Sequence, residues 1–285
     1  MTIFESSSIV RLQEILREQA LAQDRLAEAV LLIAQARDSE IDVSAYLRQL
    51  DDWAAYMLRC LPDKSADASE RIECLNRFLF DELGFTGDGE NYFDPKNSFL
   101  NSVIDRRLGI PITLSVLYIE LGRRIGLPLQ GVSFPGHFLV TLPVSRGVVV
   151  LDPYSEGVSL EFSDLEKLLF NTQPDRHWEP DQIRQMLAPA NLRDILVRIL
   201  RNLKAIYWEA KDIVSAIWVQ DLMLIIDPGL AEERRDRAIL EEQAGHYKAA
   251  IQDFGDYLEQ QPDAIDTDLI RARIVELTRH KRHLH

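Results

Sequence analysis

The sequence predicts an α+β protein: a mostly helical first part with a small antiparallel sheet, followed by an all-α repeat domain. Apolar residues recur at helical spacing through most of the 285-residue chain, which is typical of amphipathic helices. The spacing changes to that of short strands only between residues 129 and 151. These strands follow helices and do not alternate with them, which favours an antiparallel sheet in an α+β fold.

Three helical stretches are predicted before the first glycine-rich loop. Residues 8–37, 43–61 and 67–83 carry apolar side chains at helical spacing. Gly84 suits the position just after the third stretch, because glycine readily adopts the left-handed conformation that ends many helices. We assign residues 1–40 to an N-terminal helical segment.

A loop and two helices are predicted next. Residues 84–96 are rich in Gly, Asp and Asn and predict the loop, and residues 97–108 predict a short helix. The stretch 112–125 is apolar on several faces, so we expect a helix at the centre of the core. Pro111 suits the first position of that helix, because an N–H at this position would have no intrahelical partner.

The predicted sheet has three short strands. Residues 129–134, 138–142 and 148–151 are rich in Val, Leu and Phe, which favours strands. Ser145-Arg146-Gly147 supplies a hairpin turn between the last two. We assign residues 41–175 to this α+β domain.

The last part of the chain repeats itself. Residues 171–189 contain three prolines and are the predicted linker to a repeat domain over 190–285. Pro228 and Pro262 lie 34 residues apart, and apolar residues recur at the same offset. This period is the tetratricopeptide signature, with residues 267–277 as a capping helix. The alternative is a set of three unrelated amphipathic helices that end in proline.

The charge and the cysteine content indicate which partners and cofactors to expect. The chain has 46 acidic and 32 basic residues, a net charge of −14, which predicts no nucleic-acid or membrane partner. Cys60 and Cys74 form no disulfide framework and have no zinc-ligand spacing, so we expect two separate thiols, no metal and no cofactor.

Residues 1–5 lack the features of a signal peptide, and no apolar run approaches the roughly 18 residues of a membrane helix. We therefore expect a cytoplasmic protein, with its oligomeric state left open.

One dense stretch of motifs suggests a family. It reads YFDPKNSFLNSVIDRRLGIPITLSVLYIELGRRIGLPLQGVSFPGHFLV from Tyr92 to Val140 and VLDPYSEG from Val150 to Gly157. This stretch resembles the bacterial SirB-like proteins, which couple a transglutaminase-like domain to C-terminal tetratricopeptide repeats. The resemblance implies a papain-like fold for the domain over 41–175 and a regulatory role for the chain.

The same resemblance implies where an active site would lie. The wider superfamily uses a Cys at the start of a central helix, where the helix N-terminus lowers the thiol's pKa, with a His base and an Asp on successive strands. His137 matches the His and Asp152 matches the Asp. The nucleophile position lies about fifteen residues before the turn Gly126-Leu127-Pro128 and falls on Pro111. The resemblance thus implies a triad reduced to a dyad.

Several side chains beside this position have open roles. Thr113 and Ser115 are the nearest hydroxyls, and either acts as a substitute nucleophile, bonds back to helix carbonyls, or packs as a small core residue. Asn97 is a possible cap for the helix that follows it. Arg106 and Arg107 either line a cleft and bind an acidic or amide ligand, or pair with Asp105 and Glu120. Tyr154 either covers the site or fills the core. The possible cleft comprises Asn97, Asn101, Arg106, Arg107, Thr113 and Tyr154.

The sequence supports two leading functions. The first is a non-catalytic regulatory or scaffolding protein, a pseudoenzyme that binds a protein or peptide partner through a degenerate cleft and through the repeats. The alternative is an atypical hydrolase or amidase, in which His137 acts as a general base on water and Asp152 orients it. A third hypothesis treats the first domain as inert support for the repeats.

Overall fold

The computed structural model describes residues 6–18, 22–61 and 66–283. The chain divides into two compact units, Met1–Ile199 and Leu200–His285. The helices are α1 Ser7–Arg17, α2 Leu26–Arg37, α3 Val43–Cys60, α4 Ala68–Asn76, α5 Leu100–Arg106, α6 Pro111–Arg124, α7 Phe162–Thr172, α8 Pro180–Gln185, α9 Leu192–Glu209, α10 Ile213–Ile226, α11 Ala231–Gln243, α12 Tyr247–Gln260 and α13 Thr267–His283. The strands are β1 Thr86–Gly87, β2 Leu108–Gly109, β3 Gln130–Val132, β4 Leu139–Val144, β5 Gly147–Asp152 and β6 Val158–Leu160. The predicted α+β class with a helical repeat region is confirmed.

The third predicted helix has two parts. Asp67 and Glu70 form a reciprocal capping box at the start of α4, with Glu70 N donating to Asp67 Oδ1 at 3.0 Å. The helix continues beyond Asn76 as a π-helical turn, Arg77–Glu82, a widening that sequence spacing does not reveal. Gly84, at φ +72°, follows it in the left-handed conformation expected of a C-terminal cap.

Helix α6 is the centre of the first unit. Pro111 is its first residue, as predicted, and every residue from Pro111 to Gly122 is buried. The helix packs against α2, α3, α4, β3 and β4. A side chain at Gly122 would collide with Leu129, so glycine allows the close approach of the chain leading into β3. The predicted central helix is confirmed.

One amide joins α6 to the segment that follows β5. Tyr118, fully buried on α6, donates its hydroxyl to Asn76 Oδ1 at 2.8 Å. The Nδ2 of the same Asn76 donates to the Gly157 carbonyl at 3.3 Å. Gly157 has a φ of +75°, and a Cβ there would collide with the Asn76 amide. Both bonding groups of Asn76 are therefore used by tertiary contacts.

The main sheet has four antiparallel strands in the order β3-β4-β5-β6. Ser145 and Arg146 form the predicted turn between β4 and β5, and Gly147 at φ +125° closes it. The three predicted strands are present with shifted ends, and β6 is an addition. A second pair, β1 and β2, is parallel, with Thr86 opposite Leu108. It lies partly in the predicted loop, because a two-residue strand leaves no periodic signal.

The predicted linker and the start of the repeat domain are structured parts of the first unit. Ile183 of α8 is fully buried in a cluster with Val132 and Phe134. Arg193, near the start of α9, donates to the Leu16 carbonyl at 3.0 Å. These contacts explain why the compact units divide after Ile199, whereas the sequence places the repeat domain from residue 190.

The second unit consists of consecutive antiparallel helices. Helix α10 packs on α11, α11 on α12, and α12 on α13. Ala216 and Ala250, which match at the 34-residue offset, are both fully buried, because small residues allow neighbouring helices to approach closely. No helix in the described ranges is both long and apolar enough to cross a membrane. Both cysteines are free, as predicted. Both were expected to be buried or half-buried, which is correct for Cys74 and wrong for Cys60, because Cys60 ends α3 at an exposed position.

Candidate functional site

His137 and Asp152 are in contact. His137 lies in the turn before β4, where its backbone N–H donates to the Phe134 carbonyl at 3.1 Å. Asp152 ends the neighbouring strand β5. The imidazole Nε2 lies 2.9 Å from Asp152 Oδ1. Gly136, at φ +71° and packed against Thr172, leaves no room for a side chain in this turn. The strand pairing therefore brings the two predicted residues together.

The Asp152 carboxylate is almost saturated with hydrogen bonds. Its Oδ1 also accepts from Tyr154 N at 3.0 Å, and its Oδ2 accepts from Ser155 Oγ at 2.9 Å. Burial raises the pKa of Asp152, but the bonds from His137, Ser155 and Tyr154 outweigh burial and hold that pKa below its usual value. The carboxylate is therefore ionised at neutral pH and acts only as an acceptor.

This arrangement defines the tautomer of the imidazole. Because Asp152 accepts, Nε2 carries the proton, and Nδ1 of the neutral ring is an acceptor. Nδ1 makes no hydrogen bond to any residue within the described ranges. His137 thus presents one oriented, unbonded nitrogen, which is the geometry that a general base requires and that an acceptor for a bound partner also requires.

Replacing Asp152 by asparagine is expected to lower the free energy of unfolding by about 1–3 kcal/mol at pH 7, because charge-assisted hydrogen bonds to buried groups are lost. In the wild type this contribution is present above the unfolded-state pKa of about 3.9 and is lost as pH falls through the lower folded-state pKa. Urea denaturation at pH 7 and pH 3.5 measures the free energy of unfolding of wild type and Asp152→Asn. The exposed Asp181→Asn variant is the control. A loss of stability in Asp152→Asn that is equal at both pH values would contradict the prediction.

Tyr154 covers one side of the imidazole. Its ring centroid lies 6.0 Å from that of His137, with the rings nearly perpendicular at 82°. A side chain at Gly87 would collide with the Tyr154 ring, so β1 lies directly against it. Burial, followed by the nearby Tyr92 and Asp88, raises the pKa of Tyr154. Of the two predicted roles for this residue, covering the site agrees with the structure.

A buried polar network lies next to β1. Its central residue is Asp88, which the sequence did not indicate as a site residue. Asn97 is fully buried and donates to Asp88 Oδ2 at 3.1 Å and to the Asn91 carbonyl at 2.8 Å. Arg106 donates to Asn97 Oδ1 at 3.2 Å and to Asp88 Oδ2 at 3.3 Å. Hydrogen bonds from Asn91 and Asn97, then the charge of Arg106, lower the pKa of Asp88. The Gly-Asp-Gly sequence around Asp88 was the available signal.

Two predictions about these residues are wrong. Asn97 does not cap a helix: its side chain bonds Asp88, and α5 begins only at Leu100. Arg106 pairs with Asp88 and Asp94 and not with the carboxylates suggested by sequence proximity. The fold brings Asp88 close through the pairing of β1 with β2, which local spacing does not show.

Asn101 and Arg107 make no hydrogen bond to the dyad. Arg107 ends α5 in the left-handed conformation, at φ +60°, and its carbonyl accepts from Thr86 N at 3.0 Å. Asn101 Oδ1 is buried and has no hydrogen-bond partner among the described residues. Their place in the predicted cleft stays a prediction.

The position implied for the nucleophile is occupied by a buried Pro111. Thr113 is fully buried and donates its hydroxyl to the Asn97 carbonyl at 2.8 Å, while it accepts from Ile110 N at 3.1 Å. Ser115, also fully buried, donates to the Phe138 carbonyl at 3.3 Å. Both hydroxyls therefore have structural partners. Thr113 also lies 3.2 Å from the Ile110 carbonyl at the start of its own helix, whereas the partner of Ser115 belongs to another segment and not to the helix.

The structure offers no evident substitute for the missing nucleophile among Cys74, the other described hydroxyls and thiols, or a metal site. Burial raises the pKa of Cys74, the opposite of what activates a thiol nucleophile. None of the described hydroxyls or thiols hydrogen-bonds to His137. Across the same residues, no group of three His, Cys, Asp or Glu side chains is placed to hold a metal ion.

The fold and the dyad define the class: a transglutaminase-like domain followed by tetratricopeptide repeats. The family model of the transglutaminase-like superfamily matches residues 44–201, and that of the tetratricopeptide repeat matches residues 203–275. The chain belongs to the UPF0162 family, the SirB-like proteins. It is 39% identical over 263 residues to a UPF0162 protein of Xylella fastidiosa strain Temecula1, covering 91% of this chain and 92% of the relative.

More distant relatives extend the comparison. A UPF0162 protein of Vibrio cholerae is 30% identical over 213 residues, which cover 74% of this chain and 77% of the relative. The human F-box only protein 21 is 33% identical over 110 residues, which cover 35% of this chain and 17% of the relative. No solved structure matches the chain significantly.

Proposed function

We propose that this chain is a non-catalytic regulatory or scaffolding protein that binds a protein or peptide partner through its transglutaminase-like domain and its repeats. The observation that carries the proposal is Pro111 at the start of α6. A proline has no nucleophilic side chain, and it removes the backbone N–H at this position. The helix N-terminus that activates a thiol in the superfamily therefore has nothing to activate here.

The surroundings of Pro111 support a structural role for the region where the superfamily has its nucleophile. Thr113 and Ser115 bond to carbonyls of neighbouring segments. To attack a substrate, either hydroxyl would have to leave a buried hydrogen bond, at a cost of roughly 1–3 kcal/mol for the unpaired acceptor. Such a cost opposes a substitute nucleophile at either position.

The retained dyad suits recognition. Asp152 holds the imidazole so that Nδ1 can accept a hydrogen bond from an N–H or O–H of a partner. Phe93, which is 72% exposed, packs its ring against Tyr92 with a centroid separation of 5.3 Å. Tyr92 in turn is close enough to Tyr154 to influence its pKa. An oriented hydrogen-bond acceptor and exposed aromatic side chains are both common components of binding sites.

The repeats offer a second surface, since tetratricopeptide repeats commonly mediate protein interactions. Two aromatic residues of the repeat helices are used for packing: Tyr207 is buried, and Tyr247 packs against the α11–α13 core. Trp208 is 40% exposed and Val214 is 76% exposed. We place the repeat contribution to binding on exposed side chains such as these two.

Wild type and His137→Ala are expected to show no turnover of casein or of a panel of peptide p-nitroanilides and primary amides above buffer. The reason is that Pro111 occupies the nucleophile position and that none of the described hydroxyls or thiols hydrogen-bonds to the His137 imidazole. The measurement is product release over several hours at pH 7–8, with papain as the positive control. Turnover by the wild type that His137→Ala abolishes would overturn the proposal.

That same outcome would support the second candidate, a hydrolase in which His137 activates water. The observation in its favour is the 2.9 Å bond that orients the imidazole. If this mechanism operates, Asp152→Asn should reduce kcat strongly while it changes KM little, because Asp152 does not touch substrate and acts only through His137.

A further inference from the structure

A groove lies between α7 and the segment that leads into α8, outside the dyad. Its volume is about 490 Å³, within the range of roughly 300–1,000 Å³ typical of ligand pockets. Its lining includes Leu169, Phe170, Arg176, Trp178 and Ile183. None of these residues takes part in the site around His137.

The floor of the groove is apolar and continuous with the core. Leu169 is 1% exposed and Ile183 is fully buried, and both belong to the cluster behind β3 and β4. Phe170, at the rim, is 64% exposed. A large aromatic side chain left in water beside an apolar floor is a feature that binding surfaces share. The groove can therefore receive an apolar side chain.

One wall of the groove carries an oriented positive charge. The Arg176 guanidinium carbon lies 3.7 Å from the centroid of the Trp178 ring, so the cation lies over the indole face. Arg176 forms no ion pair with a carboxylate of the described residues, although the chain has 46 acidic residues. A guanidinium fixed over an aromatic ring keeps its N–H groups free for bidentate bonding to a carboxylate.

The other polar groups of the lining are consistent with this charge. Lys167 is already paired with Asp164 at 2.9 Å, and Glu166 makes no ion pair with Arg176. The indole N–H of Trp178 is buried and has no acceptor within the described part of the chain. Native proteins rarely leave such a donor unpaired. Because this N–H is itself buried, the unpaired charged donor that the groove offers to an acceptor oxygen is the Arg176 guanidinium.

We propose that this groove binds an acidic, hydrophobic peptide segment of a protein partner. An apolar side chain of the segment packs against the exposed Phe170 ring at the rim, above the apolar floor, and a neighbouring carboxylate binds Arg176. The site is separate from the dyad, so the inference stands whether or not the chain is a catalyst. A nucleic acid is the weaker fit, because Arg176 is a single unpaired guanidinium, whereas nucleic-acid binding depends on several cations that contact successive phosphates.

The test is fluorescence anisotropy of fluorescein-labelled Gly-Leu-Phe-Glu-Gly, with the full-length protein titrated to about 1 mM, a range that covers weak peptide affinities. The matched probe replaces Glu by Gln. Saturable binding of the Glu peptide is expected, with at least about fivefold weaker binding of the Gln peptide, since a charge-assisted bidentate contact is lost. Equal affinity for the two peptides, or no saturable binding, would overturn the proposal.

Four variants test which residues of the protein contact the peptide. Arg176→Gln should reduce affinity for the Glu peptide about fivefold and leave affinity for the Gln peptide unchanged, whereas Phe170→Ala should weaken both. Arg146→Gln, an exposed arginine of the β4–β5 turn, is the matched control and should change neither. His137→Ala should bind as the wild type does, which separates this test from that of the dyad. Groove-dependent binding of a labelled oligothymidine in place of the peptide would contradict the assignment.

Discussion

Replacing Arg237 by alanine is expected to lower the free energy of unfolding of the repeat unit by about 3–5 kcal/mol, because the buried Asp253 and the half-buried Asp221 lose the cation that hydrogen-bonds to them. Arg237, on α11, bonds Asp253 of α12 through both oxygens, at 2.7 and 2.6 Å, and Asp221 of α10 at 2.7 Å. One guanidinium thus joins three consecutive helices. The measurement is urea denaturation followed by circular dichroism.

The pH dependence identifies the cause of this loss. Burial raises the pKa of Asp221, and Arg237 opposes that rise, so the variant should raise the pKa further. A carboxyl whose folded-state pKa lies above its unfolded value destabilises the folded state most at high pH, and the penalty shrinks as pH falls through the folded-state pKa. The difference between wild type and variant should therefore be smaller at pH 5 than at pH 7. The control is Arg271→Ala, an exposed arginine whose loss should change nothing measurable.

Leu117→Ala is expected to lower the free energy of unfolding of the transglutaminase-like domain by about 2–5 kcal/mol. Leu117 is 1% exposed in the middle of α6, and the substitution removes buried apolar surface and leaves a cavity in a close-packed core. Thermal and urea denaturation at pH 7 give the loss.

The matched control for this prediction is Leu58→Ala on α3, because Leu58 is 47% exposed and its truncation opens no cavity. It should change the free energy of unfolding by less than about 1 kcal/mol. Similar losses for the two variants would show that α6 is not the centre of the core.

The elements predicted correctly are those with long periodic signals. Helix α6 is apolar for more than three turns, and β4 and β5 are joined by a recognisable turn, so their identity followed from local pattern. The contact between His137 and Asp152 followed from these, since a residue just before one strand and a residue ending its antiparallel neighbour lie side by side. The repeats were visible because one helical pair recurs.

The features that escaped prediction depend on contacts between distant segments. Asn97 has the residue type and position of a helix cap, yet Asp88 and Arg106 compete for its side chain, and only the pairing of β1 with β2 brings them there. The prolines of residues 171–189 suggest a linker, whereas burial of Ile183 anchors the segment. Helix α9 carries apolar residues on both sides of Ile199, so nothing in its pattern marks where one unit ends.

The amide of Asn76 has a consequence for how the site behaves. Its oxygen holds Tyr118 of the central helix and its nitrogen holds the carbonyl of Gly157, five residues beyond Asp152. The two bonding groups of a planar amide cannot move independently. The Asn76 side chain therefore couples the position of the buried helix to that of the segment after the dyad. Loss of either hydrogen bond should therefore loosen the position of this segment relative to the central helix.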